Sequence, residues 1–155
     1  SVLLACAMKM GAILADAPSI DADNLYKFGE QMGLAFQLQD DFLDVYGDPK
    51  IFGKAIGGDI TSNKKTYMLI NAYQRSNAEQ RTELDKWIKA ETFDKQEKIK
   101  AVTHLYDEIG IKHLCEEKIA YYFCEANKYL DKVNVAEDNK SNLKDFAESL
   151  MKRNY

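Results

Sequence analysis

Histidine and proline each occur only twice in this chain, cysteine three times and tryptophan once. Each scarcity excludes something. The cysteines, Cys6, Cys115 and Cys124, are odd in number and lack CxxC spacing. They therefore form neither a disulfide framework nor a zinc motif, and read as buried or half-buried thiols of a reducing compartment, the cytoplasm. His104 and His113 lie among helical residues without ligand spacing, so neither is expected to be catalytic. No apolar run reaches the roughly 20 residues of a membrane span. The opening VLLACAMKMGAILA is interrupted by Lys9 and lacks the basic start of a signal peptide. Positive charge is not in excess either: a net charge of −4 argues against a general surface for nucleic acid or anionic membrane.

What remains reads as helix. Two prolines and eight glycines leave long stretches unbroken, and 46% apolar content over 155 residues suffices for one core. Residues 1–15 carry Leu3, Ala7, Met10 and Leu14 at helical spacing and are apolar almost all round, the pattern of a helix inside a larger bundle. Ser1 is either its N-cap or a residue within a helix already begun. Pro18 and Ser19 mark a turn over 16–20. A long helix then runs from 21 or 23 to 46, with Leu25, Phe28, Met32, Phe36 and Leu43 inward. Gly29 and Gly33 within it either permit close packing or ligand approach, or are simply tolerated. Gly47-Asp48-Pro49 should end it, with Gly47 in the left-handed position.

Residues 50–61 are expected to form a Gly-rich loop. Further helices are expected over 64–74 (Tyr67, Leu69, Ile70 and Tyr73; capped by Ser62 or Asn63), 77–90 and 94–109. After Gly110 come 111–133 and 139–152, the last burying Leu143, Phe146, Ala147 and Leu150. With no repeat, low-complexity tract or linker, residues 1–155 are expected to be one all-α domain, a helical bundle.

The chemistry concentrates in Asp40-Asp41-x-x-Asp44, three carboxylates set within an apolar run. A helix turns about 100° per residue, so Asp40 and Asp44 share a face, with Asp41 beside them and Gln37 one turn earlier. Apolar neighbours on both sides leave little purely polar face, so these groups are expected to line a cleft. Three close anions repel unless protonated or met by a cation. Mg²⁺ takes one or two carboxylates, waters and phosphate oxygens. Lys54 and the Lys64-Lys65 pair follow around a Gly-rich segment suited to close ligand approach. An acidic helix face beside an ordinary basic loop is the plain alternative.

The ordered set Gly33, Phe36-Gln37, Asp40-Asp41-x-x-Asp44, Gly47-Asp48-Pro49, Gly53-Lys54, Gly58-Asp59-Ile60 and Asn63-Lys64 resembles the second aspartate-rich region of trans-isoprenyl diphosphate synthases (polyprenyl synthetases), most closely the farnesyl diphosphate synthase type. The resemblance implies the C-terminal portion of an isoprenoid-synthase bundle and head-to-tail prenyl transfer: an allylic diphosphate ionises to a carbocation and inorganic diphosphate, the double bond of isopentenyl diphosphate attacks the cation, and loss of a proton gives geranyl or farnesyl diphosphate. It implies Mg²⁺ on Asp40 directly, with Asp41 and Asp44 acting directly or through water. Lys54 and Lys64 would hold the allylic diphosphate, with Gln37 as polar neighbour, Phe36 as a wall near the hydrocarbon and Asp59 orienting a lysine or serving as a turn residue. Arg153 would lie near isopentenyl diphosphate, or simply favour a helix C-terminus. A homodimer is implied as well.

The family's first aspartate-rich motif and its arginine pair are absent from these residues. The opening segment resembles the helix after a Lys-Thr pair, so the chain is expected to be the C-terminal part of a longer synthase, inactive alone. The alternative is a noncatalytic partner subunit of the same fold. Terpene cyclisation shares the metal-assisted departure of diphosphate, but Gly53-Lys54 and the following lysines match the synthase pattern better.

Overall fold

The computed structural model describes residues 1–48 and 56–151, and every regular element among them is helical, as the sequence leads one to expect. The helices are α1 (Val2–Leu14), α2 (Ser19–Tyr46), α3 (Gly58–Thr61), α4 (Tyr67–Arg75), α5 (Ala78–Lys89), α6 (Lys95–Ile109), α7 (Ile111–Asp131) and α8 (Glu137–Met151).

Several ends follow from local chemistry. Asn77 caps α5 in a full capping box: its side chain accepts from the Gln80 N–H, and the Gln80 side chain accepts from the Asn77 N–H. Asp94 caps α6 through the Glu97 N–H. Gly110 closes α6 in the left-handed conformation.

Other ends differ from expectation. Helix α2 starts at Ser19, inside the expected turn, because the Pro18 carbonyl accepts the first bonds from Asp21 and Ala22 and proline costs nothing at a helix start. Its end is not left-handed, since Gly47 has no positive φ; the Gly47 N–H simply continues to the Leu43 carbonyl. The short α3 lies within the expected loop. Helix α4 starts at Tyr67, later than expected, because Asn63 has a left-handed φ of 54° that no helix continues through. The cap is instead Thr66, whose side chain accepts from the Leu69 N–H.

The chain forms two compact units. The first comprises Ser1–Gln39 and the described residues from Glu117 to Met151. Its core is Phe28, Met32, Ala126, Leu130, Val133 and Ala147, with Leu4, Met8, Leu25 and Phe123 packed against it. Gly29 permits a backbone contact: a Cβ there would lie 2.8 Å from the Ala5 Cα. At so short a separation only a small residue fits, and Ala5 is buried there; Ala12 is the other buried position of α1. The Leu3–Ala7–Met10–Leu14 line faces outward instead, with Leu3 88% and Leu14 85% exposed. Phe146 likewise turns out while its neighbour Ala147 turns in, contrary to the sequence pattern. Cys124 is exposed rather than half-buried. Buried Asp21 accepts from the Asn134 N–H at 3.0 Å, and buried Gln39 donates to the Met151 carbonyl at 2.9 Å.

The second unit is Asp40–Glu116. Helix α6 packs against α3, α4 and α5 and buries Lys98, Val102, Leu105 and Tyr106. Helix α4 buries Met68, Leu69 and Ala72, leaving Ile70 exposed where the sequence pattern has it inward. Cys115 is buried, and burial, with the nearby charges of Asp41 and Glu116, pushes its thiol up to about 12. It is inert at neutral pH.

Candidate functional site

The last two turns of α2 carry the three aspartates, and burial divides them. Asp40 is exposed and has no hydrogen bond or ion pair among the described residues. Asp41 is buried, 7% exposed, and Asp44 is half-buried. Asp40 is thus the exposed one of the three, although the next three residues, Asp41, Phe42 and Leu43, are all buried.

Lys64 joins two segments. Its ammonium donates to Asp59 Oδ2 at 2.8 Å and to Asp41 Oδ1 at 2.9 Å. These bonds, Asp59 first, raise its pKa above the ordinary lysine value, so the group stays charged. Asp59 thus faces a lysine, and its backbone carbonyl also accepts from the Lys64 N–H at 3.0 Å.

Asp44 anchors the approach to α3. Its Oδ2 accepts from the Asp59 N–H at 2.8 Å. Its pKa is raised, chiefly by burial and further by the Asp59 charge, while the Asp59 and Gly58 N–H groups and Lys64 pull it back. The turn into α3 requires Gly57: its φ is 84°, and a Cβ there would lie 2.4 Å from Ile99 Cδ1.

The remaining expected residues lie elsewhere. Lys54 and Arg153 fall outside the described residues. Phe36, half-buried, and Gln37, exposed, lie on the part of α2 that belongs to the first unit. Lys65 diverges from Lys64: with Tyr73, Leu69 and Arg81 it lines a separate groove of about 730 Å³. Among the described residues, no three His, Cys, Asp or Glu side chains gather as a metal centre. The donors near Lys64 are all carboxylate oxygens, chemistry that suits a hard divalent cation rather than zinc or copper, and Asp40 is the one unengaged oxygen donor among the three aspartates.

Sequence reasoning missed the Asn63 turn and Lys98, a buried lysine that bonds Asn63 at 2.7 Å. Lys98 sits among Lys95, Glu97 and Lys100 and looks like any residue of a solvated helix face. Asn63 carried a usable signal, because asparagine tolerates the left-handed region.

The family model described as Polyprenyl synthetase matches residues 1–106. A short chain isoprenyl diphosphate synthase of Methanothermobacter thermautotrophicus is 38% identical over 84 residues, 54% of this chain and 26% of that protein. The crystal structure of a geranylgeranyl pyrophosphate synthase superposes on all of this chain and 48% of its own, with a TM-score of 0.89 and 36% identity. A geranylgeranyl pyrophosphate synthase from Corynebacterium glutamicum, complexed with isoprenyl diphosphate and magnesium, matches at a TM-score of 0.80 and 31% identity, covering 93% of this chain and 41% of its own. The aligned part of this chain spans about a quarter of that curated relative, and the chain as a whole about half of the solved one.

Proposed function

Because the chain belongs to the polyprenyl synthetase family, we propose that it forms the second-aspartate-motif part of a prenyltransferase that joins isopentenyl diphosphate to an allylic diphosphate, yielding geranyl or farnesyl diphosphate. The observation that carries this reading is the Lys64 ammonium held by Asp59 and Asp41, with Asp40 exposed at the neighbouring position.

Breaking the allylic C–O bond releases a multiply charged anion, and preorganised cations that meet this charge lower the barrier. An ammonium has three N–H donors. Asp59 and Asp41 take two and fix the direction of Lys64, leaving the third for a diphosphate oxygen. On the family resemblance, Lys54 holds the same diphosphate, Gln37 lies near it, Phe36 walls the hydrocarbon and Arg153 serves isopentenyl diphosphate. Asp40 would hold Mg²⁺ directly, with Asp41 and Asp44 contributing directly or through water. When bound, the metal supplies positive charge against the departing diphosphate. The corynebacterial structure, described with magnesium and isoprenyl diphosphate, supports that choice of metal. We further propose a homodimer in the cytoplasm; no described helix is long and apolar enough to cross a membrane.

Transfer of radiolabelled isopentenyl diphosphate to geranyl diphosphate with Mg²⁺, measured on the natural protein that carries these residues, tests the reading. Asp40→Ala should lower the rate by about two orders of magnitude or more, the scale of losing one preorganised electrostatic stabiliser. Activity untouched by that substitution removes the metal assignment. A folded, inactive protein points instead to a noncatalytic partner subunit.

A further inference from the structure

Lys98 is fully buried, 0% exposed, and among the described residues no carboxylate pairs with its ammonium. An unpaired buried charge is costly, and an apolar side chain of similar length would pack there more cheaply unless the charge has a use. The ammonium has two neighbours: it donates to Asn63 Oδ1 at 2.7 Å, and it lies 4.1 Å from the centre of the Phe93 ring.

The Asn63 amide is clamped from both ends. Its Oδ1 accepts from Lys98 on α6, and its Nδ2 donates at 3.0 Å to the Ile88 carbonyl in the last turn of α5. Turning the amide over would set NH₂ against an ammonium and oxygen against a carbonyl, so the two neighbours together permit one orientation. The backbone of Asn63 is the left-handed point of the chain between α3 and α4, with φ at 54°. The next residue is Lys64, whose N–H returns to the Asp59 carbonyl and whose ammonium reaches Asp59 and Asp41. At this turn two adjacent lysines part, Lys64 to the carboxylates and Lys65 to the groove beside Tyr73 and Arg81.

We propose that Lys98 is a positioning residue for Lys64: by holding the Asn63 amide it locks the left-handed turn that delivers the Lys64 ammonium to Asp41 and Asp59. Burial lowers the pKa of Lys98, which is the standing cost of this arrangement. The part Lys64 then plays toward diphosphate rests on the function proposed above. The link between Lys98 and Lys64 does not.

The test labels the intact chain briefly with acetic anhydride and reads each lysine by mass spectrometry, taking surface-paired Lys86 as reference. In the parent, Lys64 should react slowly because its ammonium is hydrogen-bonded to Asp59 and Asp41. Lys98→Met should speed labelling of Lys64 relative to Lys86 by about five-fold, the scale of one net hydrogen bond. Asn63→Gly keeps the left-handed turn accessible but removes the clamped amide, and should do the same. Lys98→Met added to Asn63→Gly should then change nothing further. A Lys64 rate unaltered in Asn63→Gly overturns the proposal, even if Lys98→Met proves unable to fold. So does a Lys98→Met protein that loses stability in urea while Lys64 stays protected, the signature of a residue that only packs. No substrate enters this experiment, so its failure and a failure of prenyl transfer are seen separately.

Discussion

The two units treat their buried polar groups differently. In the unit built on either side of Asp40–Glu116, Asp21 reaches the Asn134 N–H and Gln39 the Met151 carbonyl, while Lys140 reaches both the Asp131 carbonyl and the Glu137 carboxylate. In the unit of Asp40–Glu116, buried Thr66 meets the Leu69 N–H, but the buried charged groups Asp41 and Lys98 meet side chains, those of Lys64 and Asn63. A main-chain partner is present whatever residue stands there, so such bonds fasten helices without demanding a particular sequence. Side-chain pairs exist only for particular residues and carry charge to a chosen point. The first unit is a scaffold of apolar stripes fastened largely by backbone; in the second, the buried charged groups converge on Lys64 and the turn before it.

Substitutions in the scaffold sharpen that contrast. Phe28→Ala removes a side chain 1% exposed at the centre of the apolar core, and should cost about 3–5 kcal/mol in urea unfolding. Asp21→Ala leaves the Asn134 N–H without its acceptor and should cost about 1–3 kcal/mol by the same measurement. If Asp21→Ala were the more damaging of the two, the view of this unit as apolar first and fastened second would fall.

The smallest effect is expected at Glu137, in the first turn of α8. Hydrogen bonds from Lys144, then Lys140, lower its pKa below the ordinary 4.5. A carboxyl with a depressed folded pKa contributes stability above its unfolded value and loses it as pH falls through the folded one. The urea midpoint of Glu137→Gln should therefore lie slightly below that of the parent at neutral pH and converge with it in acid. A gap that widens in acid would contradict the assignment.

The helices were legible because their signals are local. Asn77 and Asp94 announce caps by position and residue type, and the inward faces of α2 and α6 follow the helical period. The sequence puts the three aspartates and Lys64 forward together, and the structure joins Lys64 to Asp41 and to Asp59, whose part was open because loop carboxylates also serve turns. What escaped depends on residues distant in sequence. No pattern within 1–15 says that Leu3, Met10 and Leu14 turn outward while Leu4 and Met8 pack against the core, because that depends on a glycine of α2 admitting Ala5. Nothing near Lys98 says that it is buried, because Asn63, 35 residues away, is its partner. Thr66 was passed over as a cap because Ser62 and Asn63 come first in the chain, and only the φ of Asn63 removes them.

The scaffold unit is assembled from residues on both sides of Asp40–Glu116, and this imposes an order of events. The contact from Gln39 to Met151 spans 112 residues, and that from Asp21 to Asn134 spans 113. The entropic cost of closing such separations grows only slowly with length, but nothing can close before both ends exist. On the ribosome the contiguous stretch of Asp40–Glu116 is complete first and is free to form its own contacts. The core around Phe28 waits for Ala147, among the last of the described residues to be made. Until then its apolar half-faces stay wet. The segment that aims the charge can fold early, and the scaffold is the part that closes last.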